Sequence, residues 1–270
     1  TYVLFRALDE QMQPALIYFF ETKRLDKLGI LESVKDRLHR MKSMGNPNIA
    51  SVIYVHSDDD ITYMITNDYS ETNLEQYVVS TVKLSENEVL RISKHLFEAF
   101  SYMHSKGVFH GGLTMESILF DSDMNPIISN FAFCQHNLTA IQTRDTNQTN
   151  FVPPEILTES SFDPFAADIW ALGVVVYVMV SGKLPFDQKN HIKQINQMMK
   201  CNYTIPFIAN QTIPKIINSC IVADPLKRTS AARITMELRS VKIEPISNAL
   251  LRRGVTHSTT CIGLNFSKIE

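Results

Sequence analysis

The chain has 270 residues, 44% apolar and 20% charged, with 26 Lys and Arg against 28 Asp and Glu for a net charge of -2. This length and apolar content allow one or two domains with a sizeable buried core, and they exclude a disulfide-held miniprotein and a disordered chain. With no basic excess to meet phosphates, a nucleic-acid partner is not expected.

Cys134, Cys201, Cys220 and Cys261 show no C-x-x-C spacing, so neither a zinc cage nor a disulfide framework is expected, and a reducing, cytoplasmic compartment fits best. The longest apolar run, Ile169 to Val180, is shorter than the ~20 residues of a membrane-spanning helix and reads as a buried core helix, with no membrane partner. The chain opens at Thr1 without a basic-then-apolar leader, which reads as a fragment and not as a signal peptide.

In chain order, Tyr2 to Ala7 and Ala15 to Phe20 are apolar, aromatic runs around a polar turn with Pro14, the pattern of a hairpin. Leu31, Val34, Leu38 and Met41 recur at helical spacing and predict a helix from Leu28 to Met44, stopped by Gly45-Asn46-Pro47. Ile49 to His56 and Ile61 to Asn67 read as strands joined by Asp58-Asp59-Asp60. Ser85 and Glu88 form a capping box, and Val89, Ile92, Leu96, Phe100 and Met103 carry a helix to Gly107. Short apolar pieces follow from 108 to 155, and helices dominate from Asp168 onward. The pattern divides into 1–69, small and strand-rich; 70–240, mainly helical; and 241–270, a weakly patterned tail.

An ordered set of landmarks runs along the chain: Asn46-Pro47-Asn48-Ile49, His110-Gly111-Gly112-Leu113, Asn130-Phe131-Ala132, Pro153-Pro154-Glu155, Asp168-Ile169-Trp170, Gly182-Lys183-Leu184-Pro185-Phe186, and Asp224-Pro225 with Arg228. In this order it resembles a eukaryotic protein kinase domain of the serine/threonine type, closest to the calmodulin-dependent and AMP-activated group, from Thr1 to about Arg239. The resemblance implies an α+β fold of two lobes, with a β-rich small lobe that begins after the Gly-rich loop, a hinge at Asn67-Asp68-Tyr69, and a mainly helical large lobe.

The resemblance also shows what has changed. In the family's catalytic loop an Asp accepts the substrate proton and an Asn holds magnesium. Gly112 stands at the first of these positions and Ser117 at the second, with Thr114 where a phosphate-contacting Lys is usual. Asn130 replaces the magnesium-binding Asp of D-F-G, a weaker ligand for a hard dication. Tyr18 occupies the place of the phosphate-binding Lys, and Arg37 the place of the Glu that pairs with it. Two fates are open to Arg37: its guanidinium lies over the Tyr18 ring, or it swings out to solvent. The nucleotide cleft would be vestigial, formed by Val3, Leu16, Thr66, Asp68 and Leu119, with Leu16 crowding the adenine position.

The supports of the fold are retained. The resemblance implies an apolar stack of Val52, Met41, Phe131 and His110, an anchor at Asp168, and a buried ion pair between Glu155 and Arg228. Thr139, Thr143, Thr146 and Thr149 fall in the activation-segment match, Phe133 to Val152, but Gly111 removes the arginine that usually gathers a phosphate there. Ile192, Ile195, Met198 and Met199 form a stripe that reads as core first and partner surface second. The resulting expectation is a pseudokinase: not an enzyme, with no catalytic residue, no metal and no cofactor beyond weak, magnesium-independent ATP binding, acting as a scaffold or allosteric module for a protein partner in signalling. The alternatives are a weak or unconventional ATP-dependent serine/threonine kinase and a metal-independent nucleotide sensor.

Overall fold

The computed structural model describes residues 3–8, 14–69, 72–129, 149–158, 162–187 and 189–244. Asn130, Phe131, the threonines at 139, 143 and 146, and the tail from 245 lie outside them, as do Cys134 and Cys261. Cys201 and Cys220 are free thiols.

The hairpin forms from β1 (Val3–Leu8) and β2 (Pro14–Glu21), and β3 (Val52–Ser57) and β4 (Ile61–Asn67) complete an antiparallel sheet in the order β1-β2-β4-β3. Alternation on β2 buries Leu16, Tyr18 and Phe20 on the face that looks toward the rest of the molecule. Between β2 and β3 lie two helices, α1 (Thr22–Lys27) and α2 (Leu31–Lys42), where the sequence pattern predicts one. Gly29 separates them at φ +68°, a left-handed turn that glycine adopts without steric cost. Along α2 the buried side chains are Val34, Arg37, Leu38 and Met41.

Helix α3 (Leu74–Thr81) starts on a capping box of Asn73 and Gln76. Helix α4 (Glu86–Ser105) starts on that of Ser85 and Glu88, as the sequence predicts, and Gly107 turns the chain out of it at φ +69°. A short antiparallel pair follows, β5 (Ile118–Phe120) and β6 (Pro126–Ile128). Helices α5 (Pro154–Thr158), α6 (Pro164–Ser181), α7 (His191–Met199), α8 (Thr212–Cys220) and α9 (Ala231–Arg239) build the rest of the large lobe. By length and composition α6 could cross a membrane, yet 83% of it is buried inside the protein, which makes it the central core helix.

The two parts are tied by main chain. Ile49 bridges Ile128, Ala50 N–H donates to the Ile128 carbonyl at 2.9 Å, and Ile128 N–H donates to the Asn48 carbonyl at 2.9 Å. The turn after α2 is thereby stitched to β6 at the floor of the cleft. On α7, Met198 is buried while Ile192 and Met199 are exposed, so the apolar stripe is part core and part surface.

Candidate active site

The loop between α4 and β5 is held from below by one carboxylate. Asp168, on α6, accepts from His110 N–H at 2.8 Å and Gly111 N–H at 2.9 Å, and the His104 ring donates to it at 3.0 Å. His110 is fully buried, stacks on Phe100 with ring centroids 6.1 Å apart, and donates from Nε2 to the Ser129 carbonyl at 2.9 Å. Burial pushes its imidazole down to about 4, against the opposing pull of Asp168 and of the Ser129 hydrogen bond. The ring is therefore neutral at pH 7 and serves packing.

Beyond His110 the loop carries little chemistry. Gly111 and Gly112 help wall a small cavity of about 30 Å³ whose other sides include Thr114, Phe151, Ile156 and Asp168. No side chain at 112 reaches into it, so no base stands at that position. The hydroxyls of Thr114 and Ser117 face each other at 3.2 Å, and Ser117 Oγ also accepts from Thr114 N–H at 3.4 Å. Both groups thus spend their hydrogen bonds on closing the turn Met115–Ser117.

Across the cleft, Tyr18 is fully buried and Leu16 is buried beside it, opposite Thr66 in the sheet register. The Thr66 hydroxyl is buried without a hydrogen-bond partner among the described residues. Asp68 is buried and ion-paired with Arg6 of β1, which lies opposite Leu16. Leu119 is half-buried and bridges Asn73. Val3 requires a correction: it pairs with Phe19, not with a cleft residue, and is exposed. The strand register turns it onto the outer face of the sheet, because successive side chains alternate.

Arg37 also departs from both expectations. It is buried, and its guanidinium lies over the ring of Phe109, 4.1 Å from the centroid. The same group donates to the carbonyls of Phe109 and His110, the latter at 2.9 Å. Sequence reasoning missed Phe109 altogether, since a lone aromatic before His110 carries no pattern of its own.

Under α5, Arg228 and Glu155 form a buried ion pair, with Arg228 also over the indole of Trp170 at 5.2 Å. Val52 is half-buried and Met41 buried, on the side of the cleft where the apolar stack is expected.

The protein kinase domain profile matches residues 16–238. The chain belongs to the protein kinase family. Among its relatives are the serine/threonine-protein kinase SIK1 of Mus musculus, 29% identical over 219 residues that make up 81% of this chain and 28% of the relative. CBL-interacting protein kinase 1 of Oryza sativa subsp. japonica is 30% identical over 225 residues, 80% of this chain and 49% of the relative. CBL-interacting serine/threonine-protein kinase 9 of Arabidopsis thaliana is 25% identical over 224 residues, 82% of this chain and 50% of the relative. The chain spans about half, or less, of the length of these curated relatives. The two-lobed α+β fold and the serine/threonine kinase resemblance are as the sequence implies. The expectation that the chain is not an enzyme is corrected: the matched family is that of protein kinase domains, and the relatives are by name protein kinases, those of Mus musculus and Arabidopsis thaliana serine/threonine-protein kinases.

The family implies ATP and magnesium, and the donor set here does not fit the metal. Magnesium prefers carboxylate and water oxygens in octahedral array. At the catalytic-loop ligand position Ser117 offers a neutral hydroxyl already bonded to Thr114, and Asn130 is outside the described residues.

Proposed function

We propose that this chain is a signalling domain of the serine/threonine protein kinase family that transfers phosphate slowly and by an unconventional route, and that works chiefly by presenting a kinase-shaped surface to a protein partner. One observation carries the reading: at the position where a base would receive the substrate proton, Gly112 leaves an open cavity wall, and the adjoining hydroxyls of Thr114 and Ser117 are turned onto each other. A positioned general base contributes typically ~10² to 10⁴ in rate. Its loss, together with a buried Tyr18 where a phosphate-binding amine is usual, leaves the cleft's contribution to orienting any substrate and excluding water.

The partner role is supported by what is intact. Glu155 and Arg228, Asp168 and the catalytic-loop main chain, and the stitched turn at Asn48 to Ala50 keep the fold's frame in place, while Gly112 and Tyr18 stand where reacting groups are usual. Both plant relatives named above are by name CBL-interacting, so family members with a protein partner exist.

The test is single-turnover and steady-state transfer from radiolabelled ATP to generic Ser/Thr protein substrates, with the purified chain. Turnover at least ~10²-fold below the 1–100 s⁻¹ of ordinary kinases is expected. Turnover within that ordinary range would overturn the proposal.

A further inference from the structure

Within the buried stripe of α2, three positions are apolar, Val34, Leu38 and Met41, and one is a guanidinium, Arg37. A charge on the core face of a helix is unfavourable unless its environment satisfies it. Here satisfaction comes from across the lobe boundary: the ring of Phe109 under the guanidinium and the carbonyls of Phe109 and His110. These acceptors are backbone atoms of the large lobe.

They are also anchored to the core of that lobe. His110 N–H is fixed by Asp168 of the core helix α6, and the Phe109 ring stands edge-on to Phe165 at the start of that helix, with centroids 5.7 Å apart. Phe165 in turn meets the edge of His104, which also donates to Asp168. A continuous chain of contacts thus runs from the middle of α2 through residues 109 and 110 to the center of the large lobe.

We propose that Arg37 is a built-in latch that keeps α2 seated on the catalytic loop, so that the lobes stay docked with no nucleotide bound. In the kinase pattern the corresponding side chain is acidic and reaches toward the small lobe's own strand. Here the charge is reversed and the contact points the other way, down into the large lobe. The consequence is a change of regulation: closure is a property of the folded chain and needs no occupant of the cleft. This stands independently of how fast phosphate is transferred.

Amide hydrogen exchange by mass spectrometry on the nucleotide-free chain tests it, with Arg37→Met, which keeps an unbranched apolar stem and removes the guanidinium, and Phe109→Leu, which keeps both carbonyls and removes the ring. Arg37→Met is expected to raise exchange at least tenfold in peptides covering 31–42 and 107–113, while peptides from 164–181 keep wild-type rates. Phe109→Leu is expected to give a smaller rise confined to the same two segments, and it decides the matter if Arg37→Met does not fold. In the wild type, ATP should leave exchange in 31–42 unchanged. Three results would each overturn the latch: exchange in 31–42 within twofold of wild type in both variants, a uniform rise that includes 164–181, or wild-type protection of 31–42 that appears only when ATP is added.

Discussion

Arg228 holds Glu155 in a two-armed grip, Nη1 to Oε1 at 2.5 Å and Nη2 to Oε2 at 2.7 Å, with both side chains almost wholly out of water. The remaining donors of the guanidinium are taken up by the carbonyls of Val222, Ala166 and Ala223. The pair therefore ties α5 to the far side of the large lobe through one fully bonded cation.

Removing the carboxylate while keeping its shape should be severe. Glu155→Gln leaves a buried, unneutralised guanidinium, and breaking a pair of this kind costs about 3 to 5 kcal/mol. Equilibrium urea unfolding should show the loss in the midpoint at unchanged slope; a change below about 1 kcal/mol, the scale of an exposed pair, would show that water reaches the site.

His110 makes stability depend on pH with a definite sign. Its folded-state pKa, about 4, lies below the unfolded value of 6.5, so the unfolded chain binds the extra proton in that interval. Stability from this group is complete above about pH 6.5 and is lost as pH falls toward 4; between pH 7.5 and 5 the loss is about 2 kcal/mol. Half-buried His95, pushed down mainly by desolvation and next by Arg91, acts in the same direction. Urea unfolding of the wild type and His110→Gln at both pH values should give a flatter dependence in the variant, and equal slopes would place the pH sensitivity elsewhere.

Putting a carboxylate back at one position should not restore ordinary catalysis. Gly112→Asp supplies a base into the existing cavity, but the metal and phosphate positions are unchanged, and groups that act as a unit are strongly non-additive. The expected gain in transfer rate is under about tenfold, against the ~10² to 10⁴ a base contributes in a complete site. A gain above a hundredfold would mean that the rest of the machinery is intact.

Nucleotide should bind weakly and without regard to magnesium. Leu16 and Tyr18 are buried in the cleft and Ser117 is bonded to Thr114, so neither an amine for the phosphates nor a carboxylate for the metal stands at these positions. Thermal unfolding at millimolar ATP should shift equally, and slightly, with magnesium and with a chelator, since only ligand bound to the folded state raises the transition. A large rise confined to magnesium would contradict this.

The features legible in the sequence were those with local signals. A strand-like run after the acidic turn Asp58-Asp59-Asp60 marks Ile61–Asn67, and Ser85 with Glu88 marks the start of α4. Asn73 and Gln76 carry the same kind of capping signal for α3, but eight residues are too few for a helical period to stand out beside it. Helix α1 has no side-chain cap at Glu21 and buries only Thr22 and Leu25, too little for a period to emerge. The site residues were found through spacing to landmarks, but their surroundings were not. Val3 lost its place in the cleft because the pairing across 9–13 sets the face. The partners of Arg37 are carbonyls some 70 residues further on, and a carbonyl is the same at every position in a sequence.

The hold of Asp168 on the main chain of the catalytic loop separates the loop's path from its side chains. Since His110 N–H and Gly111 N–H are the groups gripped, a lineage can discard or recover a reactive residue here without rebuilding the backbone. The two glycines differ in this respect. Gly111 sits at φ +78°, where any side chain meets a steric penalty, while Gly112 carries no left-handed backbone angle to oppose a side chain. The backbone angle therefore penalises a side chain at 111 and sets no such penalty at 112.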